Sequence, residues 1–541
     1  MTPEATRTAH LDLFVRDNLP PVDQWPTLSP NAAGLDYGPR LNATAELLDK
    51  RVANGNDGAR PVIHTDHTTL TYQQLQERVD RICGVLRHDW QLVPGNRVLL
   101  RGANNPMMAA AMLAVIKCGL VAVPTMPLLR AQELMTIIDK AQITAALCDA
   151  ALMDQMQIAA RSCPTLRLVG SFNASANTPD SLENRCALQP STAQACDTAA
   201  DDPALIAFTS GTTGSPKGTV HFHRDIIAMC DLFPRHVLKP AANDIFTGTP
   251  PLAFTFGLGG MLCFPMRVGA STLLIEKTDP TGLLAAIDKH KVTICFTAPT
   301  FYRQMAAKSA DYSLASLRAC VSAGEALPIA TRDAFEKATG IAITDGIGAT
   351  EMIHIFISSA PEKSRRGAIG QVIPGYQARV VDDQMNTLPP GEIGRLAVIG
   401  PTGCRYLADE RQSIYVKDGW NLTGDTFLMD EDGYFYYQAR SDDMIVSAGY
   451  NIAGPEVEDA LLAHEAVSEC GVVGVADEAR GQIVQATVVL NAGFEGDDAM
   501  IKTLQDWVKA RIAPYKYPRQ INFAATLPRT ETGKLQRFRL R

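Results

Sequence analysis

Basic residues are in the minority in this sequence: 50 Lys and Arg stand against 58 Asp and Glu, a formal net charge of −8. A nucleic-acid binder needs a basic face to displace counterions, so no nucleic-acid partner is expected. None of the 12 cysteines belongs to a CxxC pair, which excludes the usual zinc and thioredoxin-type arrangements. Long apolar runs are missing as well. The best contender, residues 107–129, is interrupted by Lys117, Gly119, Pro124 and Pro127. Its unbroken part, 107–116, falls short of the ~20 residues a membrane span needs. It predicts a buried helix over 107–116 and a buried strand over 120–123, with no membrane partner. Residues 1–17 carry charges throughout and no apolar stretch, so no export signal is read there and a reducing, cytoplasmic setting is expected.

What is present is an ordinary globular composition, 46% hydrophobic and 20% charged over 541 residues. At about 150 residues per unit, that length suggests roughly three or four units. Helical and strand patterns alternate. Leu75, Val79, Ile82 and Leu86 recur at helical spacing over 72–86, and 97–100 reads as a strand. Such alternation predicts parallel α/β layers. Residues 171–203, rich in Ser, Asn, Ala and Asp, predict an exposed excursion before a strand over 205–209. Near residue 440 the texture changes. A strand over 433–437 leads to the polar cluster 440–443. A helix over 455–464 follows, with Glu456, Glu458 and Asp459 read as its acidic first turn. Strands over 469–475 and 484–490 and a helix over 500–512 complete a domain-sized unit.

The most informative segment follows the strand at 205–209. Residues 209–218 read Thr-Ser-Gly-Thr-Thr-Gly-Ser-Pro-Lys-Gly. Glycines let backbone N–H groups turn toward an anion, hydroxyls add donors and Lys217 adds charge, the makings of a phosphate cradle. The Walker pattern does not fit, since Pro216 precedes the lysine and Gly218 follows it. In Asp345-Gly-Ile-Gly-Ala-Thr-Glu-Met-Ile-His-Ile-Phe356, Gly346 and Gly348 allow close approach of a flat ligand. Thr350 and Glu351 then supply a hydroxyl and a carboxylate that suit Mg²⁺ and triphosphate oxygens. Read alone, they also suit a helix start. Asp425, in Trp420-Asn-Leu-Thr-Gly-Asp-Thr426, can accept from two neighbouring ribose hydroxyls, or be an ordinary turn acid. Residues 528–537, which carry Lys534, are on composition alone a basic tail.

Taken in order, these segments resemble the adenylate-forming superfamily of acyl-CoA synthetases, peptide-synthetase adenylation domains and luciferases, from about residue 47 to the C-terminus. Residues 345–356 resemble its benzoate-CoA and 2-aminobenzoate-CoA ligase branch. The resemblance implies an α/β fold: a large N-terminal domain of layered sheets and helices over 1–440, and a small mobile α+β domain over 441–541, with the site between them. It implies that Thr209, Ser210, Gly211, Thr212, Thr213, Gly214 and Lys217 bind the phosphates of ATP. Glu351 would hold the metal, Thr350 would meet the α-phosphate and Asp345 the adenine amine. Gly324 and Glu325, in Ser322-Ala-Gly-Glu-Ala326, would border adenine together with Gly346 and Ile347. Many relatives have an aromatic where this chain has Ile347. Asp425 and Arg440 would hold the ribose, although Ala439 stands where the family has Gly. Lys534, with Arg529, Thr530 and Gly533 in the same motif, corresponds to the lysine that contacts both carboxylate and α-phosphate. Lys534, Glu351 and Thr350 are thus the catalytic candidates. Asp442 matches the hinge, and Ser447, Ala448, Gly449 and Tyr450 the turn that faces coenzyme A.

The expected reaction joins a carboxylic acid to AMP and then to the thiol of CoA, with ATP, Mg²⁺ and CoA as participants. Phe254, Gly257, Ala323, Gly324, Gly348 and His354 are the candidates for the acid's pocket, because aromatics beside glycines form a flat slot. For His354 a place in the core is the competing reading. A small aromatic carboxylate of the benzoate or 2-aminobenzoate type is expected, with a medium-chain or alicyclic acid as the alternative. Loading of a carrier protein by a stand-alone adenylation domain is disfavoured, because Phe254 is followed by Thr255 and not by an aspartate for an amine. A luciferase and a non-catalytic nucleotide-binding protein are the other classes weighed. A homodimer and a lysine acetyltransferase acting on Lys534 are further partners the resemblance allows.

Overall fold

The fold is taken from a computed structural model that describes residues 7–29, 34–55, 57–175, 178–209, 216–440, 443–447, 450–477, 480–529 and 534–541. Its layering starts from the apolar run. The helix Pro106–Lys117 opens where the Asn105 side chain accepts from the Met108 N–H and Pro106 takes the first turn, and every residue from Met107 to Lys117 is buried. A helix apolar on all sides must be covered on all sides. The core around it runs from Val98 and Leu100 in one sheet to Phe246 and Phe296 in a second and to Leu396 and Phe427 in a third. These sheets share one large domain, in place of the separate units that length alone suggested.

A six-stranded sheet runs in the order Leu168–Phe172, Ala145–Asp149, Arg97–Arg101, Val121–Thr125, β1 (Pro203–Thr209) and β2 (Lys217–Phe222). Only its last pair is antiparallel. In a nine-stranded sheet, α1 (Pro299–Lys308) and α2 (Ile329–Thr339) are crossovers between parallel neighbours that end at β3 (Ile343–Gly348). Beyond β3 the pairing turns antiparallel. A five-stranded antiparallel sheet contains β4 (Trp420–Met429) and β5 (Phe435–Arg440). The small domain has its own sheet, beginning at β6 (Ile445–Ser447), and its own core of Val457, Leu461, Val472, Val484 and Leu504 under α3 (Gly454–Leu462) and the helix Asp498–Lys509. No helix among the described residues is long and apolar enough to cross a membrane.

Two local readings change. Within 171–203 a short helix, Leu182–Ala187, forms because Ser181 caps it and Leu182 and Cys186, one turn apart, are buried. The polar composition hid that pair. The helix expected over 455–464 is α3, and Glu458 and Asp459 lie past its first turn, with partners elsewhere.

Lys117 is the one charge in the buried run. Its ammonium reaches Asp80 at 2.5 Å and Asp49 at 2.8 Å, at the helix C-terminus that favours a cation. Removing one partner of a buried pair leaves the others uncompensated. Lys117→Ala should therefore cost about 3–5 kcal/mol of unfolding free energy, measured by denaturant titration. A cost below 1 kcal/mol would show that water already screens the two aspartates.

Candidate functional site

The strands β1 and β2 form a hairpin that pairs Phe208 with Gly218 and Thr209 with Lys217. Its connecting loop, with Ser210, Gly211, Thr212, Thr213 and Gly214, lies outside the described residues. The stem nevertheless fixes Lys217. Its ammonium stands 3.8 Å from Glu351 Oε1 and 5.0 Å above the ring of Tyr406. The Tyr406 hydroxyl donates to the same carboxylate oxygen. Tyr406 reaches this point because its backbone bridges to Thr219 and its neighbours bond to β2, Leu407 N–H to Gly218 and Arg405 C=O to Val220.

Glu351 belongs to a short turn after β3. His221 Nε2 donates to the Thr350 carbonyl at 2.8 Å, and the Thr402 hydroxyl donates to the Met352 carbonyl at 2.9 Å. Burial lowers the His221 pKa to about 4, so the ring is a neutral donor. The next residue, Ile353, has φ +65°, a strained conformation for a β-branched side chain. The pins at 350 and 352 hold it there. On β3 itself, Asp345 is buried, its Oδ1 accepts from the Gly346 N–H at 3.0 Å, and Gly346 and Ile347 pair with Ser358 and Ile357. Burial pushes the Asp345 carboxyl up to about 7, against the opposing pull of Arg332 and the Gly346 N–H.

The ribose candidates meet across a strand pair. β4 and β5 place Asp425 opposite Arg440, whose Nη1 donates to Asp425 Oδ1 at 3.0 Å. Burial raises the Asp425 pKa and Arg440 opposes the rise. Lys534 comes to this group from the tail of the small domain. A Cβ on Gly324 would fall 3.7 Å from its Cε. Its side chain is open to solvent at the seam. The protein around it still lowers its pKa by desolvation, while Glu325, Asp425 and Glu351 pull the other way. Arg529 is 2.7 Å from Glu469 and 3.7 Å from Glu325. Thr530 and Gly533 lie outside the described residues.

Among the acid-pocket candidates, Gly348 lies against His354. The His354 ring is buried and packs at 4.6 Å edge-on to Phe264 and at 5.7 Å from both Phe233 and Phe256. Neither ring nitrogen makes a well-formed hydrogen bond, although the Phe256 backbone approaches. Burial lowers its pKa to about 3. Gly348 touches it so closely that a Cβ would lie 2.8 Å from the His354 carbonyl oxygen, and a Cβ on Gly257 would lie 2.1 Å from the Pro251 carbonyl oxygen. Ala323 is buried beside Gly324, and Phe254 is half-buried at the start of the helix Thr255–Leu258. Phe256, two residues past Phe254, is one of the three phenylalanines against His354.

The coenzyme A candidates are not part of this cluster. Ser447 is buried, with Arg480 Nε at 3.4 Å from its hydroxyl, and Tyr450 stacks on Tyr515 with centroids 4.5 Å apart, contacts within the small domain. Ala448, Gly449 and the hinge candidate Asp442 lie outside the described residues. Tyr406, His221 and Phe264 were not found from the sequence. Their roles depend on pairings between distant segments, and no local spacing marks them.

A family model described as "AMP-binding enzyme" matches residues 49–406, and its C-terminal domain model matches 456–534. This chain is an AMP-binding enzyme. It belongs to the adenylate-forming superfamily, and several of its relatives carry the name of CoA ligase. It is similar to a benzoate–CoA ligase of Thauera aromatica, at 35% identity over 93% of this chain and 96% of the relative. It is also similar to the solved anthranilate CoA ligase AuaEII in complex with anthranoyl-AMP, with TM-score 0.89 and 32% identity over 94% of this chain and 98% of that one. A benzoate CoA ligase structure from Burkholderia xenovorans LB400 gives TM-score 0.85 and 32% identity over 92% and 99%.

The raised Asp345 carboxyl generates a test. A folded-state pKa above the unfolded one means the ionised form is penalised in the fold, fully above pH 7 and not at all below the unfolded value near 4. Asp345→Asn keeps the acceptor for the Gly346 N–H and removes the charge. It should raise the unfolding free energy of this enzyme at pH 8 by at most about 4 kcal/mol, seen as a higher melting temperature, and the gain should shrink as the pH falls from 7 to 4. A variant no more stable than wild type at pH 8 would mean that the carboxylate is solvated in the fold.

Proposed function

We propose that this enzyme activates a small aromatic carboxylate, of the benzoate or 2-aminobenzoate type, as its adenylate and passes the acyl group to coenzyme A, with release of AMP and pyrophosphate. The observation that carries the reading is the place of Lys534: beside Gly324, in the field of Glu325, Asp425 and Glu351. The motifs for acid, ribose and triphosphate converge there on one ammonium group.

In the first step an oxygen of the acid attacks the α-phosphorus of ATP and the bond to pyrophosphate breaks. Both partners are anions, so fixed positive charge is what the site must contribute. Lys534 supplies it between carboxylate and α-phosphate, and Lys217 at the phosphate loop. Glu351 fits the role of metal ligand. It is a buried carboxylate next to the Thr350 hydroxyl, and no cluster of three or more protein ligands occurs among the described residues. That donor set suits Mg²⁺, which takes most of its shell from phosphates and water. When bound, the ion would neutralise charge on the triphosphate. In the second step the CoA sulfur attacks the acyl carbon and AMP leaves. The thiol has to approach where Lys534 stands, so the small domain turns, with Asp442 as its pivot and Ser447–Tyr450 toward the pantetheine.

The choice of a ring acid rests on the phenylalanines around a neutral His354, on glycines too tightly packed for side chains, and on relatives that act on benzoate or hold anthranoyl-AMP.

Lys534→Ala should slow acyl-adenylate formation by ~10²–10³-fold, the usual cost of one preorganised charge, and should still turn supplied benzoyl-AMP into benzoyl-CoA. Acetylation of Lys534 removes the same charge and should act alike. Near wild-type benzoyl-CoA synthesis from benzoate and ATP by the variant would overturn the assignment. The acid itself is decided by kcat/KM for benzoate, 2-aminobenzoate, cyclohexanecarboxylate, hexanoate and octanoate. A ring acid should lead, although a methylene more or less is worth only ~1–3 kcal/mol in such a pocket. A tenfold lead for hexanoate or octanoate would refute the aromatic assignment and leave the ligase chemistry intact.

A further inference from the structure

Two helix ends at the seam between the domains are completed by the opposite domain. The helix α2 begins after Pro328 with no side-chain cap of its own. Its first N–H, on Ile329, donates instead to Asp459 Oδ1 of α3 at 2.9 Å, 130 residues away in the chain. At its other end α3 stops at Leu462. There Arg303 of α1 donates to the Leu462 carbonyl at 3.5 Å and to the Val467 carbonyl at 2.8 Å. Each helix end receives the partner type it favours, a carboxyl oxygen at an N-terminus and a guanidinium at a C-terminus, although burial pushes the Asp459 carboxyl up to about 7. Both side chains are half-buried.

The caps sit close to the chemistry on both sides. In the large domain, α2 starts four residues after Glu325, so Asp459 grips the end of the segment that borders Lys534. In the small domain, Glu458, the neighbour of Asp459, takes the Arg537 guanidinium on both carboxylate oxygens, one at 2.9 Å, and accepts from the Val472 N–H at 2.7 Å. Arg537 is three residues past Lys534. On the other flank of the lysine, Arg529 is held by Glu469. The position of α3 on α2 therefore sets where the lysine-bearing tail lies.

We infer that Asp459 and Arg303 are positioning residues for the first half-reaction: by capping helices across the seam they hold the small domain in the one placement that puts Lys534 against Gly324 and Glu325. The inference rests on the reading of Lys534 given above. It requires the caps to matter while Lys534 is in place and to be dispensable once a thiol replaces it.

The test assays the two half-reactions separately on the full-length enzyme, with benzoate and ATP for adenylation (pyrophosphate–ATP exchange) and benzoyl-AMP and CoA for thioester formation. Asp459→Ala should lower exchange roughly tenfold, the effect of one lost cap on the docked placement, and leave thioester formation within twofold of wild type. Arg303→Met should shift the same ratio in the same direction. Asp459→Asn keeps an oxygen for the Ile329 N–H and should recover exchange to within about threefold, a rescue that general damage to the fold would not give. Lys534→Ala is assayed in parallel. If it abolishes exchange while Asp459→Ala leaves exchange intact, or lowers both half-reactions equally, the positioning role is refuted and the lysine assignment stands. If Lys534→Ala itself leaves exchange intact, the reading of the lysine fails and the inference falls with it.

Discussion

Glu351 is a carboxylate buried where three distant stretches of chain meet, and the need to satisfy it organises the rest of the site. A buried charge is costly unless paired and hydrogen-bonded. Here the Tyr406 hydroxyl and the Lys217 ammonium serve it. Lys217 opens β2, Tyr406 pairs with β2 at Thr219, and Glu351 hangs on the turn after β3. None of the three can shift without leaving another unpaired. The same logic continues behind the turn. His221 on β2 holds the Thr350 carbonyl, and its other ring nitrogen faces Asp225 at 3.9 Å. Asp225 pairs with the fully buried Arg405, whose guanidinium lies over Phe222. The network is only partly hydrogen-bonded, since His221 Nδ1, Asp225 Oδ1 and Arg405 Nε and Nη1 are buried without a hydrogen-bond partner, and it is held together by the His221–Thr350 hydrogen bond and the Arg405–Asp225 ion pair. It links the hairpin of β1 and β2 to the turn that carries Glu351.

Much of this was legible in the sequence where function and local structure coincide. The loop at 209–218 follows an apolar strand and concentrates glycine, hydroxyls and one lysine, so the strand before it could be read, while the second strand of the hairpin, Lys217–Phe222, was not expected. Thr350 and Glu351 stood out for their donor types. Asp425 and Arg440 were picked from separate motifs, and the antiparallel pairing of β4 with β5 brings them face to face. The alternating layers followed from periodicity, because a strand buried on both faces, such as Val121–Thr125, leaves a continuous apolar run.

What stayed hidden depends on pairings that no spacing encodes. Tyr406 meets β2 through an isolated bridge across roughly a third of the chain, and its hydroxyl then finds Glu351. Asp459 was misread for a physical reason. An acid near a helix start suits that helix's own dipole, and the sequence gives no sign that another helix end lies nearer. The positive φ of Ile353 was equally invisible, since a β-branched residue argues for extended backbone. Only the two pinned carbonyls on either side of Glu351 explain why the chain accepts it.

The site thus divides by stiffness. Glu351, Asp345, Asp425 and His354 sit on strands or on a turn pinned at 350 and 352, the placement that gives side chains their most reproducible positions. Lys534 sits on a tail beyond the last strand of the small domain, Gln520–Phe523. On the proposed mechanism its charge is needed in one step and obstructive in the next, and such a charge cannot be built into a strand, because a rigid element would hold it in place for both. Placing it on a separate domain solves that problem and creates another: the lysine is only as well positioned as the domain that carries it. Helix caps are suited to that task. They are directional, so they select one placement, and each is worth only about 1 kcal/mol, so they release without a large barrier.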